Sequence, residues 1–185
     1  MNTIILHIPH ASTQIPFYDG YVVKKEEIKA EQLIHTDWYT DDLFQSNKTI
    51  PIIAGFSRLF CDPERFEDDS VEVMSSGGMG VLYEKKDNGE RLRVVDDQLR
   101  ERIISGYYRN HHQDFSDAVN KQLKEYGSVL IIDCHSFSSK PLTRDLNKDE
   151  PRPDYNIGTD PFHTPAVLVE HAKHFFDKRN LSLGI

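Results

Sequence analysis

The stretch Ser128-Val129-Leu130-Ile131-Ile132-Asp133-Cys134-His135-Ser136 carries the reading of the fold. Four consecutive aliphatic residues, Val129 to Ile132, follow Gly127-Ser128 and run into polar residues. A short continuous apolar run of this kind marks a strand buried on both faces, the habit of parallel sheets. It is expected to be the central strand, with Cys134, His135 and Ser136 at its C-terminal tip. Immediately upstream, Leu99, Ile103, Tyr107, His111, Phe115, Val119 and Leu123 recur every four residues, and Ile104 and Tyr108 widen the stripe. That spacing predicts one amphipathic helix from about Asp97 to Tyr126. Asp96 or Asp97 can cap its start, and Gly127 can close its end.

Further out, Thr3 to Ile8 is a second apolar run, closed by Pro9, and Ile50 to Ala54 is a third. Ser57 to Cys61 reads as another extended segment. Lys24 to Leu33 predicts a polar helix, and a short one starts near Thr36-Asp37 with Trp38, Leu43 and Phe44 as its apolar side. Asp62 to Gly80, rich in Asp, Glu, Ser and Gly, reads as a long surface loop. Gly80 to Tyr83 and Arg91 to Val95 predict a hairpin around Asn88-Gly89. Beyond a polar loop from Ser138 to Pro153 come a weak strand at Tyr155 to Gly158, a helix from about Thr164 to Lys178 and a clipped strand at Leu181. Strands alternating with helices imply an α/β protein with a largely parallel sheet. No repeat or linker divides residues 1–185, so a single domain is expected.

The chain of 185 residues has 22 Lys and Arg against 30 Asp and Glu, a formal charge of −8. That balance argues against nucleic acid or an anionic membrane as partner, because both require a basic face. Ten Phe, eight Tyr and the aliphatic runs argue against disorder. The apolar runs are too short to span a bilayer, and no secretion leader is visible. Cys61 and Cys134 form neither a disulfide framework nor a CxxC motif, so a reducing cytoplasm is expected.

Nine histidines remain, several at the ends of apolar runs. In open α/β sheets ligands bind beyond the carboxyl ends of the strands. His10 and His135 both hold that position, and neutral imidazole is a common zinc ligand. His35-Thr36-Asp37-Trp38-Tyr39-Thr40-Asp41 offers Asp37 or Asp41 as the carboxylate that would complete a set of three. The competing reading is that both histidines are ordinary loop residues satisfied by backbone. His7 reads as packing and His111 as a buried histidine of the helix stripe. His171 and His174 read as surface residues. Arg58 and Arg65 flank Cys61-Asp62, where they could pair with neighbouring acids or grip an anionic substrate through their planar forks. Nucleophile signals are poor: Cys134 and His135 are strand neighbours facing opposite ways, and Ser136 lacks the G-x-S-x-G elbow. No phosphate-binding glycine loop occurs.

Taken together, Pro9-His10-Ala11-Ser12, His35-Thr36-Asp37-Trp38, Ser57-Arg58 through Cys61-Asp62-Pro63-Glu64-Arg65, Gly78-Met79-Gly80, Ile132-Asp133-Cys134-His135-Ser136 and Asn156-Ile157-Gly158-Thr159-Asp160 resemble, in order, the motifs of the N-formylglutamate amidohydrolases. The resemblance implies a three-layer α/β/α sandwich of phosphorylase/hydrolase type, with a mixed, largely parallel sheet like that of zinc carboxypeptidases. It implies metal-dependent hydrolysis of an N-formyl or N-acyl amino acid in histidine degradation. Carried over by position, His10, Asp37 and His135 match the ligands of a divalent metal, zinc first. Arg65 matches the arginine that holds the substrate carboxylate, with Arg58 in support. Two departures stand out. Glu64 replaces the asparagine of the family's Asp-x-Asn-Arg pattern. The family's usual chain also continues past the equivalent of Ile185, and its catalytic glutamate lies there, so these residues offer no general base; Glu170 is a weak substitute. A non-catalytic metal- or carboxylate-binding protein is the alternative, and a cysteine hydrolase using Cys134 a third reading.

Overall fold

The apolar run Ile4-Ile-Leu-His-Ile8 forms strand β1 (Ile4–Ile8), and hydrogen-bonded neighbours on both sides make it the middle strand. The computed structural model describes residues 4–185; Thr3, which opens the expected strand, lies outside them. β2 (Thr49–Ile53) and β3 (Leu130–Asp133) flank β1, both parallel to it, in the order β2-β1-β3. The register sets Ile5 opposite Ile50 and Ile131, and His7 opposite Ile52 and Asp133. The protein is thus a mixed α/β fold with a parallel sheet. β3, expected at the centre, is instead an edge among the described strands, with Ile131 40% and Ile132 37% exposed. An apolar run reveals which faces favour burial, but not which strands pair with it.

The described residues fall into two compact units, one running to Phe137 together with Leu142–Arg144, the other comprising Ser138–Pro141 and Asp145–Ile185. In the first, α1 (Lys25–His35) and the single turn α2 (Thr40–Leu43) connect β1 to β2. Of the three residues expected to face inward, Leu43 is 71% exposed and Trp38 and Phe44 are 39% and 37% exposed. So short a helix is fixed by its ends, where Thr40 Oγ1 donates to the Asp37 carbonyl (2.9 Å), rather than by an apolar stripe.

The long helix is not continuous. α3 (Asp97–Ile103) leads into a π-helical segment at Ile104–Tyr108, and α4 (Arg109–Tyr126) follows. Asp96 caps α3 through the Leu99 N–H (2.8 Å). Gly127, at φ +74°, closes α4 with a bond to the Leu123 carbonyl. The wider π turn, which contains the poor helix former Gly106, rotates the stripe that follows it. Gln122 is therefore buried where Leu123 was expected, while His111 stays inside.

Between β2 and α3 the chain has little regular structure but carries most of the core. Phe56, Phe60, Val81 and Leu82 pack against Leu99, Ile103 and Ile104, and Leu59, Met79, Tyr83 and Leu92 pack against Ile28. Ser57–Cys61 is turned rather than extended, with the Phe60 and Cys61 N–H groups bonded to the Ser57 carbonyl. The hairpin is short: a tight turn at Gly89 (φ +86°), the Lys85–Arg91 bridge, and backbone bonds from the Lys86 N–H to the Glu90 carbonyl and from the Leu92 N–H to the Glu84 carbonyl (both 2.8 Å). Tyr83 pairs back with Met79 instead. The expected surface loop is organised from within by Glu72, whose carboxylate accepts from the Phe66 and Met74 N–H groups. Arg93 supplies what a ladder otherwise would. Its buried guanidinium donates to the Tyr83 carbonyl (3.2 Å) and the Phe60 carbonyl (2.9 Å) and lies over the Tyr21 ring.

In the second unit, β4 (Tyr155–Asn156) pairs in parallel with β5 (Leu183–Gly184), and α5 (Ala166–Asp177) sets Phe176 against Tyr155. Among the described residues, no helix is long and apolar enough to cross a membrane.

Candidate active site

β1 ends at Pro9, which cannot donate to a ladder, and the chain turns so that His10 sits buried beyond the strand tip. The His10 carbonyl accepts the Asp37 N–H (3.0 Å), which ties the end of α1 to the end of β1. His135 follows β3 by two residues and so rises beside His10; the ring centroids are 5.3 Å apart and tilted by 44°. His10, Asp37 and His135 each offer a donor atom within 4.8 Å of the others. Asp41, the other carboxylate considered, is not part of this cluster.

His10 Nε2 bonds Asp62 Oδ1 at 2.8 Å. A carboxylate only accepts, so Nε2 carries the hydrogen. Nδ1 is buried, has no hydrogen-bond partner among the described residues and lies 3.7 Å from Asp37 Oδ2. His135 Nδ1 lies 2.8 Å from Asp37 Oδ2, and its Nε2 lies 2.9 Å from Glu64 Oε1. Burial disfavours the His135 imidazolium, but Asp37 and Glu64 outweigh that and raise its pKa to about 10. Burial would likewise raise the Asp37 carboxyl; the two histidines reverse this and hold it at about 2.

Beneath this cluster Asp62 is completely buried. Its Oδ2 takes Arg58 Nη2 (3.0 Å) and the Tyr83 hydroxyl (3.1 Å), and Arg65 Nε lies 3.5 Å away. Its Oδ1 takes His10 and the Glu64 N–H (3.0 Å). Burial opposes the charge, yet His10, Arg58 and Arg65 hold the carboxyl well below its ordinary range. Arg58 is spent on protein groups, since its Nε also meets Tyr83 and its Nη1 lies 3.7 Å from Asp37. Arg65 is less committed: its Nε has no hydrogen-bond partner among the described residues, and the side chain is partly exposed.

Cys134 faces the other way. It is buried against Leu6 and Ile8, and burial followed by the nearby Asp133 raises its thiol pKa to about 11. A thiol so placed is not an activated nucleophile. The pairing of Arg58 and Arg65 with a neighbouring acid, expected from their spacing, is met at Asp62; the His10 and Tyr83 contacts of Asp62 were not foreseen, and Glu64 was taken only as a departure. Arg58 and Arg65, four residues before and three after Asp62, were the available signal.

A family model, N-formylglutamate amidohydrolase, matches residues 2–185. The chain belongs to the N-formylglutamate amidohydrolase family. Among solved structures it is similar to the crystal structure of N-formylglutamate amidohydrolase from Ralstonia eutropha. That likeness has a TM-score of 0.81 at 20% identity and covers 98% of this chain and 71% of the other. At that identity the likeness speaks for the fold. A search of the curated proteins finds no match. The family motifs at His10, Asp37, Asp62–Arg65 and His135, scattered along the sequence, are the segments that meet at this one cluster.

The donor set also fits a divalent cation. Two imidazoles and a carboxylate form a familiar zinc triad. The orphaned Nδ1 of His10 is the lone pair such an ion would take up.

Proposed function

We propose that the protein hydrolyses the amide bond of an N-formyl or N-acyl amino acid such as N-formylglutamate, using a divalent metal, zinc in the first instance, held by His10, Asp37 and His135. The observation carrying this reading is the buried, unpartnered Nδ1 of His10, aimed at Asp37 and beside the His135 ring. Family membership supports the reaction, and the parallel sheet with strand-tip histidines supports a three-layer, carboxypeptidase-like architecture. When bound, the cation lowers the pKa of a water and polarises the scissile carbonyl.

The remaining roles belong to the chain. Asp62 holds the His10 tautomer so that Nδ1 faces the ion. Asp37 stays ionised across the working pH range. Arg65 turns its fork to the substrate carboxylate, and Arg58 braces Asp62 and Asp37 from behind. Two free, buried cysteines suit a cytoplasmic enzyme acting on a small anion.

The test is formate release from N-formyl-L-glutamate. Chelation and His135→Ala should each abolish it, added zinc should restore only the chelated wild type, and Cys134→Ser should keep most of it. Full activity after complete metal removal refutes the reading. Tight zinc binding with no turnover of any formyl or acyl amino acid would favour a non-catalytic binding protein.

A further inference from the structure

A second constellation lies directly behind the first. His7 and Asp133 are cross-strand partners in the parallel register of β1 and β3, so their side chains leave the same face of the sheet at its C-terminal end. His7 Nδ1 and Asp133 Oδ1 are 2.6 Å apart. His10 and His135 follow them by three and two residues, which stacks one pair above the other along the strand tips. Glu64 overhangs both. One of its oxygens is 2.9 Å from His135 Nε2 and the other 3.5 Å from His10 Nε2. It also has a donor atom within 4.8 Å of those of His7 and Asp133.

The surroundings of His7 suit a ligand. Its ring is buried, stacked on Phe115 at 4.6 Å, and its Nε2 meets His111 Nε2 at 2.9 Å. In the metal-free protein Nδ1, 2.6 Å from a carboxylate that only accepts, carries a hydrogen; with an ion on Nδ1 instead, Nε2–H would be donated to His111, the arrangement in which an outer partner fixes the tautomer of a ligating histidine. Asp133 and Glu64 are both open to solvent, so an ion can reach them.

We propose that His7, Asp133 and Glu64 form a second divalent-cation site, with Glu64 as the carboxylate shared between the two ions. The sharing rests on the metal reading above; the His7–Asp133–Glu64 set does not. To hold an ion, His7 Nδ1 would release its proton to solvent and His7 and Asp133 would move apart from their 2.6 Å contact. A second ion held by His7, Asp133 and Glu64 would supply charge stabilisation on the side of the reacting bond away from the first.

The test is zinc stoichiometry on chelator-stripped protein by calorimetry and elemental analysis, with Mn2+ electron paramagnetic resonance as a second readout. Wild type should take up roughly two equivalents and give a spin-coupled Mn2+ pair. Asp133→Asn, and His7→Phe, which preserves the stack on Phe115, should each lose the second equivalent and the coupling while remaining folded by circular dichroism. A single equivalent in wild type, abolished by His135→Ala and untouched by Asp133→Asn, overturns this proposal and leaves the first site standing. Two equivalents that persist in both variants also overturn it. No binding at all brings down the first site with it.

Discussion

Replacing Asp62 by Asn keeps the shape of the side chain and removes its charge at the one position where five groups converge. Every partner is a donor: His10 Nε2 and the Glu64 N–H on one oxygen, Arg58, the Tyr83 hydroxyl and Arg65 on the other. An amide has a single oxygen, so one set must face an NH2 group. Turned toward His10, that NH2 meets the Glu64 N–H and drives His10 to the other tautomer, with hydrogen on Nδ1. Turned the other way, it confronts two guanidinium groups. Breaking a buried ion pair by removing one partner costs roughly 3–5 kcal/mol. Arg58 and Arg65 are partly exposed and recover some hydration, which favours the lower end, about 3 kcal/mol. For a chain of this length that corresponds to a fall in Tm of roughly 6–12 °C. Loss of the orienting bond should also weaken zinc binding about 10–100-fold. Thermal unfolding followed by circular dichroism and zinc competition with a chromophoric chelator measure the two effects separately. An Asp62→Asn protein with unchanged Tm and zinc affinity within twofold of wild type would refute the reasoning.

Three further outcomes follow from the same geometry. Asp37→Asn should weaken zinc binding at least 10-fold, while Asp41→Asn leaves it unchanged; equal effects would mean the carboxylate ligand is misassigned. Arg65→Ala should raise KM for N-formylglutamate sharply and Arg65→Lys should restore only part, because an ammonium lacks the planar fork; unchanged kinetics in both would end that role. His111 is buried and sits beside His7, and the two effects lower its pKa from 6.5 to about 4. The unfolded chain therefore binds more protons than the folded one between those values. Stability contributed by neutral His111 is complete above about 6.5 and falls, by on the order of 2 kcal/mol, as pH drops toward 4. An NMR titration of the ring in metal-free protein that gave an ordinary imidazole midpoint would contradict this.

The strand-tip histidines were legible in the sequence because a short apolar run ending in His10 or His135 fixes both the strand and the end at which its ligands lie. Their convergence was legible only in outline, since it depends on β1 and β3 being neighbours, and pairing is non-local. The same gap explains why β3 was expected at the centre. The full role of Asp62 stayed hidden because, beyond its local arginines, its partners His10 and Tyr83 come from two distant segments. His7 packs as read, buried on Phe115; that it also lies opposite Asp133 depends on the strand register, which is non-local. The π turn at Ile104–Tyr108 went unseen because the apolar spacing before it is the same in a straight helix.

Arg93 is at least 29 residues from any proposed ligand in sequence, and among the described residues it hydrogen-bonds none of them. Yet its two carbonyl bonds hold the backbone on which Asp62 and Tyr83 are mounted, Phe60 on one side and Tyr83 on the other. A saturation screen scored only by turnover would therefore rank Arg93 alongside His10 and His135. Intolerance to substitution in this enzyme would then measure how irregular backbone is kept in register as much as where the chemistry happens. Separating the two needs a fold-sensitive readout beside the catalytic one.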